Sequence, residues 1–274
     1  NNTSGAVDIN NTGNLLIKDI TNTGRTVILV STGLIADDDA GVSDITAGDL
    51  ILTGVNGINL DTTVNRLDAI NTNNAVDIAN TGSLTLIELG GDGFSVNNTN
   101  GAVLISAASP ITVSTAIAGG AGVILTAGEI ADAGTWADDL TVNANVSSAN
   151  GSILLRAGDD ITVAGAATIQ AQLVGQTVTL VAGYQDQDSG GEITSSGTLQ
   201  TLNGAINLSA IGNIAVANVS AGTGDVIATS IQGSVTGGKI TANLLTIDSN
   251  TGINITTNVN TFDAEVSGDG DITV

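Results

Sequence analysis

Residues 5–17 have the sequence GAVDINNTGNLLI, a pattern that recurs along the chain. Val7 and Ile9 form a pair of apolar residues two positions apart, and Leu15 and Ile17 form a second pair eight residues later. Side chains two positions apart on a β-strand lie on the same face, so each pair is typical of a β-strand with one buried face. The intervening NNTG is made of residue types that accommodate tight bends. The segment therefore predicts two short strands joined by a corner.

The pattern of the first pair recurs along the whole sequence. There are eleven such pairs, and each lies about 20 to 30 residues after the one before it, which is the period range of solenoid repeats. They are Val7 with Ile9, Val27 with Leu29, Leu50 with Leu52, Val76 with Ile78, Val103 with Ile105, Val123 with Leu125, Ile153 with Leu155, Val178 with Leu180, Ile206 with Leu208, Val226 with Ala228 and Ile253 with Ile255. Six of them are followed eight residues later by a second pair, at Leu15/Ile17, Ile58/Leu60, Leu84/Leu86, Ile111/Val113, Ile161/Val163 and Ile214/Val216. A looser third strand is expected before most of the next repeats, at Leu67, Phe94/Val96, Leu140/Val142, Ile169, Leu199, Leu245/Ile247 and Phe262.

Three strands and three corners in each repeat predict one coil of a solenoid. The expected fold class is all-β, a right-handed parallel β-helix of about eleven coils, each of about 20 to 30 residues with three short strands. Because the cadence persists without a change in composition, residues 1–274 are expected to form a single continuous domain. The members of the eleven pairs, apart from Ala228, are the predicted structural core.

The composition agrees with thin coils. Hydrophobic residues make up 42% of the chain, but only two Phe, one Trp and one Tyr occur, so Val, Ile, Leu and Ala must fill the interior. Small aliphatic side chains suit walls that face each other about 10 Å apart. A lone coil would bury too little apolar surface to offset the entropy of ordering its backbone, so stability must come from stacking.

The charge excludes several classes of partner. The chain has 27 acidic and five basic residues, for a formal net charge of −22. Nucleic-acid binders present clustered Lys and Arg, and anionic membrane surfaces attract the same residues, so neither partner is expected. No apolar run approaches the roughly 20 residues of a membrane helix, so membrane insertion is not expected either.

Cys, Met and His are all absent from the sequence. Without Cys and His, no disulfide framework and no Ser/His/Asp or Cys/His catalytic arrangement can form. A long Cys-free chain rich in Thr, Asn and Gly is typical of the outside of a prokaryotic cell, so the expected location is secreted, extracellular or at a bacterial cell surface. The missing initiator Met and the final GDITV, a strand in mid-coil, predict a processed chain or fragment, or subunits that stack end to end.

Calcium is the one candidate cofactor, since Asp outnumbers Glu by 23 to four and its oxygens on tight turns suit Ca²⁺. The candidate ligands are Asp92, Asp159, Asp160, Asp269 and Asp271, with further acidic runs at 37–39 and 138–139. Because Asp is also a common turn former, the other interpretation is that these residues only shape corners. No other cofactor is expected.

An enzymatic role is the rival interpretation, because hydrolysis of a glycoside needs two opposed carboxylates. Asp138/Asp139 or Asp159/Asp160 could supply one pair. Lyase chemistry on acidic sugars would need basic residues that the sequence lacks, so we expect no catalytic residues. Trp136 lies on one of the longer excursions between strands, and such a ring could stack on a sugar or pack over a corner, as could Tyr184.

The repeated cadence resembles a known family. Segments 5–17, 74–86, 110–128 (PITVSTAIAGGAGVILTAG) and 204–216 are similar to the central repeats of filamentous-haemagglutinin-like exoproteins, which are very large secreted adhesins of Gram-negative bacteria. The resemblance covers essentially the whole chain. It implies a right-handed β-helical shaft, export through the outer membrane and a position at the cell surface or in the extracellular matrix. The family's amino-terminal secretion domain has no matching segment here.

The function expected from these observations is that of a non-enzymatic shaft segment of a surface adhesin or an extracellular filament. Its candidate partners are other copies of itself, end to end or within a longer fibre, and a host or matrix glycan or protein. The alternative function is a carbohydrate-binding or carbohydrate-cleaving β-helix. Carboxylates that converge in a groove from adjacent coils would favour the cleaving enzyme, whereas scattered charge on plain coils would favour the shaft.

Overall fold

The computed structural model describes residues 4–38, 43–108, 110–129, 138–185 and 190–274. In these ranges all regular secondary structure is β, and 26 strands belong to one sheet. The strands are β1 (Val7–Asn11), β2 (Leu15–Ile17), β3 (Ile20–Ser31), β4 (Ile35–Asp37), β5 (Ile45–Thr53), β6 (Ile58–Asn71), β7 (Val76–Asn80), β8 (Leu84–Leu86), β9 (Phe94–Asn98), β10 (Val103–Ala107), β11 (Ile111–Val113), β12 (Ala116–Gly119), β13 (Val123–Ala127), β14 (Leu140–Val142), β15 (Val146–Ser148), β16 (Ile153–Ala157), β17 (Ile161–Val163), β18 (Thr168–Ala171), β19 (Val178–Ala182), β20 (Ile193–Thr201), β21 (Ile206–Ala210), β22 (Ile214–Ser220), β23 (Val226–Ser230), β24 (Val235–Ser249), β25 (Ile253–Val266) and β26 (Ile272–Thr273).

The strands stack in parallel into three walls. Wall A contains β7, β10, β13, β16, β19, β21 and β23; wall B contains β8, β11, β14 and β17; wall C contains β9, β12, β15 and β18. Longer strands bend around a corner and serve more than one wall, as β20 does by pairing with both β17 and β18. The predicted parallel β-solenoid with three strands per coil is therefore confirmed.

Each turn of the chain lies in register on the turn before it. Val103 of β10 pairs with Val76 on one side and with Val123 on the other. The solenoid has about 12 turns, slightly more than the predicted eleven. With neighbouring strands about 4.8 Å apart, the stack is about 50 to 55 Å long.

The sequence pattern predicted that each of the eleven apolar pairs is the same strand of its repeat. In the structure these pairs do not all lie on one wall. Val7, Val27 and Leu50 pair in order, but the next residue in their column is Leu67. Val76 stacks on another wall, above Ile58 in β6, so the series changes wall between its third and fourth members.

The second members of the pairs show the same change of wall. Leu29 pairs with Leu52, and the next residue in that column is Ala69 rather than Ile78. In wall A a separate and unbroken column runs, in order, through Ile78, Ile105, Leu125, Leu155, Leu180 and Leu208. The predicted residues from Val7 to Val226 therefore stack as rungs, but on two walls instead of one.

The last pair also lies on a different wall from the pair before it. Val226 pairs with Leu245, whereas Ile253 pairs with Val235. Leu140, assigned to the third strand, pairs with Ile111 in wall B. The assignment was wrong because two-apart apolar pairs occur on all three walls, so the pattern alone does not identify the wall.

The core is a continuous column of aliphatic side chains inside the three walls. A fully buried aliphatic side chain contributes about 1.5 to 3 kcal/mol, so the core is the main source of stability. The predicted core residues that are at most 4% exposed are Val27, Leu29, Leu50, Leu52, Val76, Ile78, Val103, Ile105, Val123, Leu125, Ile153, Leu155, Val178, Leu180, Ile206, Leu208, Val226, Ile253 and Ile255.

Two predicted core residues, Val7 and Ile9, are only partly buried. They belong to β1 in the first turn, and β3 is the one neighbour of β1 among the described strands. With β3 as the one described neighbour, their side chains are covered by the described residues from one side only. The prediction of a core position is therefore correct for the interior turns and only partly correct for this first one.

Candidate functional site

Two candidate calcium ligands, Asp159 and Asp160, lie at the corner that leads into wall B. Oδ2 of Asp159 accepts a hydrogen bond of 3.1 Å from the backbone N–H of Asp138. Oδ1 of Asp139 accepts one of 3.1 Å from Asp160, and Oδ1 of Asp160 accepts one of 2.7 Å from Glu192. These carboxylates therefore bind the backbone of neighbouring turns and hold the corners in register.

The acidic pairs that could have served hydrolysis belong to this same corner. Asp138 is 2% exposed, so its side chain lies inside the corner. Burial raises the pKa of Asp139, and the hydrogen bond from the N–H of Asp160 opposes that shift. A carboxyl with a raised pKa could act as a general acid. The carboxyl of Asp139, however, accepts a hydrogen bond from the backbone of the next turn, which suits a structural role.

The other candidate calcium ligands lie elsewhere. Asp92 is exposed and lies just before β9, the strand of wall C that begins at Phe94. Its Oδ1 accepts a 2.9 Å hydrogen bond from the N–H of Phe94, and its Oδ2 accepts one of 3.2 Å from the amide of Asn97. Asp269 and Asp271 are exposed after β25. The structure thus places the five candidates at three separate positions.

Within the described ranges no group of three or more acidic side chains is arranged to hold a metal ion. Asp37 and Asp38 are described, but Asp39, the last member of the run at 37–39, lies outside the described residues. Calcium binding therefore stays a prediction.

A buried acidic cluster that the sequence did not predict surrounds Asp44. This side chain is fully buried, and its Oδ2 accepts a 2.9 Å hydrogen bond from the N–H of Asp61 on the next turn. Burial, together with the neighbouring carboxyl of Asp37, raises the pKa of Asp44 to about 7. No sequence signal could have identified the cluster, because stacking of successive turns brings these residues together.

The aromatic residues considered as sugar contacts differ in their surroundings. The ring of Tyr184 lies 4.7 Å from the guanidinium carbon of Arg156, in a cation–π contact. One face of this ring is therefore covered by Arg156. Trp136 lies outside the described residues.

The outer face of wall C carries a depression that we call the outer-wall groove. It consists of two adjoining hollows of about 290 and 160 Å³, which share Ser147 and Gln172. The first is lined by Phe94, Ala116, Asn145, Ser147, Thr168, Gln170 and Gln172; the second by Asn97, Asn98, Thr99, Ala118, Gly119, Gly120, Ser147, Ala149 and Gln172.

Differences in side-chain size between neighbouring turns create the groove. Strand β12 places only Ala116 and Ala118 on the outer face, and two glycines follow. The preceding strand carries the ring of Phe94, and β18 carries the longer side chain of Gln170. The low strands β12 and β15, with Ser147 on the outer face of β15, are thus the floor between the higher strands β9 and β18.

The polar groups of the groove are amides and hydroxyls. Oδ1 of Asn145 accepts a 2.9 Å hydrogen bond from the N–H of Thr168, which fixes the orientation of this amide. The side chains of Gln170 and Gln172 form no hydrogen bond with any residue that the structure describes. None of the described lining residues is charged. Sequence reasoning missed this site because no motif marks it.

Comparison with protein-family models, with curated proteins and with solved structures finds no match to this chain. Among the described residues there is no helix with the length and apolarity of a membrane span. The identification of a function therefore rests on the geometry of the solenoid and of its surface.

Proposed function

We propose that this chain is a shaft segment of a secreted surface adhesin or extracellular filament, and that it does not act as an enzyme. The single observation that carries the proposal is the parallel pairing of turn upon turn from β1 to β26. Such a stack holds its two ends about 50 to 55 Å apart, which is the mechanical requirement of a shaft.

The bonding along the axis supports this proposal. In a parallel solenoid the backbone hydrogen bonds between turns run along the stack, so a load on the shaft is shared among many of them. Corner side chains add further links between turns, as Asn213 does by accepting a 2.9 Å hydrogen bond from the N–H of Ser234.

The surface charge supports this proposal, because it opposes lateral aggregation of the rods. Acidic residues exceed basic ones by 22, and like-charged rods repel one another. One of the few cations, Arg66, is held by Asp49 through two hydrogen bonds of 2.6 and 2.8 Å. The remaining surface keeps an excess of negative charge.

Surface labelling tests the location that this proposal requires. Antibodies raised against the chain should label intact cells that produce it, or detect it in their culture medium, and a cytosolic marker should stay unlabelled. Labelling that needs permeabilised cells would contradict an extracellular shaft. X-ray scattering at increasing protein concentration would show whether rods of single-chain length join end to end.

The absence of catalysis is tested separately. The chain should release no reducing ends or unsaturated products from neutral or acidic polysaccharides, with or without calcium. If turnover occurs and Asp139→Asn abolishes it, the carbohydrate-cleaving alternative replaces the shaft proposal. The matched control is Asp248→Asn, which removes an exposed carboxylate on wall A.

A further inference from the structure

We propose that the outer-wall groove binds an uncharged oligosaccharide, with a pyranose ring against Phe94 and sugar hydroxyls bound by Asn145, Gln170 and Gln172. This assignment does not depend on the shaft proposal, because a groove can bind a glycan on any β-solenoid. Four properties of the groove support it, namely an aromatic ring, amide side chains, the lack of charge among the described lining residues and an elongated shape.

The position of Phe94 is the first observation. The chain has only two Phe residues, and Phe94 lines the larger hollow while remaining partly exposed. Leaving part of an aromatic ring in water forgoes burial energy. A sugar ring presents an apolar C–H face, so stacking on Phe94 would bury both apolar surfaces.

The amides are the second observation. A Gln or Asn side chain offers both a donor and an acceptor, which suits neighbouring hydroxyls on one sugar. The bond from Thr168 to Oδ1 of Asn145 leaves the Nδ2 donors of Asn145 free to bind a ligand. Because this amide is already fixed, binding costs less side-chain entropy.

The absence of charged residues in the described lining of the groove indicates which class of sugar it binds. The groove has no cation among its described lining residues, and the chain as a whole carries a net charge of −22. A uronate, sulfate or phosphate group would meet a repulsive field without a compensating Arg or Lys. The favoured ligand is therefore neutral.

The shape requires more than one sugar unit. The first hollow extends across four successive turns, from Phe94 in β9 to Gln170 in β18. Three strand spacings amount to about 14 Å, which exceeds the width of one pyranose. A short chain lying over the floor at Ala116 can therefore reach both ends.

A separate hollow outside the groove provides an internal comparison. It has a volume of about 230 Å³ on wall B, with Thr194, Ser196, Ala217 and Thr236 among its lining residues. Its lining contains neither an aromatic ring nor an amide side chain. We expect no oligosaccharide binding there.

Nuclear magnetic resonance titration of the intact chain tests the assignment. The probes are cellotetraose, maltotetraose, mannotetraose and chitotetraose, with tetragalacturonate as the anionic comparison and an uncharged Ser/Gly/Asn peptide as the comparison for protein ligands. At least one neutral tetrasaccharide should shift the side-chain amide signals of Asn145, Gln170 and Gln172 in a saturable way.

Three variants separate the groove from the rest of the surface. Phe94→Ala should weaken binding about tenfold, and Ala116→Gln should weaken it similarly by filling the floor. Ala217→Gln, the matched change in the wall B hollow, should leave the affinity unchanged. Circular dichroism melting of each variant checks that the solenoid is intact.

Several outcomes would overturn the proposal. They are the absence of saturable shifts with all four neutral sugars at millimolar concentration, and tighter binding of tetragalacturonate or of the peptide. Equal weakening by Ala116→Gln and Ala217→Gln would also overturn it, because the effect would then not belong to the groove. If Phe94→Ala fails to fold, Ala116→Gln still decides the question.

Discussion

Asn71 donates a hydrogen bond of 3.1 Å from its side-chain amide to Oδ1 of Asn98 on the next turn. Both side chains are at most 1% exposed. Oδ1 of Asn71 accepts a 3.1 Å hydrogen bond from the N–H of Gly57, and the Asn98 amide donates one of 2.8 Å to the carbonyl of Ala102. The two asparagines thus bond to each other and also satisfy the buried N–H of Gly57 and the part-buried carbonyl of Ala102.

Asn71→Ala is therefore expected to destabilise this part of the solenoid by about 1 to 3 kcal/mol, the cost of leaving buried polar partners unsatisfied. Amide hydrogen exchange should show the loss first at Gly57, whose N–H loses its acceptor. A urea titration of the same variant gives the size of the effect. Local exchange is the sharper measurement, since long repeat proteins need not unfold in one step.

Asn100→Ala is the matched control for this prediction. Asn100 is exposed and donates a 3.1 Å hydrogen bond to Oδ1 of Asn73, so it forms a similar link in contact with water. Its removal should change stability by less than about 0.5 kcal/mol. Equal losses of stability for Asn71→Ala and Asn100→Ala would show that burial does not increase the contribution of the Asn71–Asn98 hydrogen bond to stability.

Glycine is required at the corner before wall A, and Gly151→Ala should be strongly destabilising. A Cβ at Gly151 would overlap the carbonyl oxygen of Ala121 on the preceding turn, which is backbone and cannot move aside. The turns would have to separate locally, at a cost of about 1 to 3 kcal/mol or more. The measurement is the urea midpoint of the variant against that of the parent chain.

Gly165→Ala provides the comparison. The nearest atoms to a Cβ at Gly165 belong to Ser196 at 3.8 Å, which is an ordinary contact. This change should be neutral or slightly stabilising, because alanine restricts the unfolded chain. If Gly165→Ala lowers the midpoint as much as Gly151→Ala does, the close approach of Gly151 to Ala121 is not the cause of the destabilisation.

The sequence was sufficient for the fold because alternation and period are local properties. Val103 and Ile105 are buried on one face of their strand while Leu104 between them is only half-buried, and the distance to Val123 gives the length of a turn. The wall to which each residue belongs could not be predicted from the sequence. Both Leu67 and Val76 satisfy the same pattern, and only the stacking of turns shows that they belong to different walls.

The candidate site could not be predicted, for a related reason. The outer-wall groove depends on Ala116 lying between Phe94 and Gln170, which are 76 residues apart in the sequence and belong to separate turns. No local spacing encodes that proximity. The Asp159 and Asp160 pair was visible in the sequence, but its bonding to the backbone of adjacent turns was not.

The raised pKa of Asp44 predicts how stability depends on pH. Burial raises this pKa from 3.8 to about 7, so between these values the folded chain keeps a proton that the unfolded chain has released. The contribution to the free energy of unfolding is fully present below about pH 4 and is lost as pH rises to about 7. Its size is on the order of 1 to 4 kcal/mol. Burial raises the pKa of Asp68 and Asp139 as well, which adds in the same direction.

Asp44→Asn should remove most of this dependence, because asparagine imitates the neutral carboxyl and its Oδ1 can still accept the hydrogen bond from Asp61. At pH 8 the variant should melt at a higher temperature than the parent chain, and at pH 4 the two should melt alike. Asp248→Asn, an exposed change with the same effect on net charge, separates local burial from the general relief of negative charge. If Asp248→Asn flattens the pH profile as much as Asp44→Asn, the buried carboxyl is not its origin.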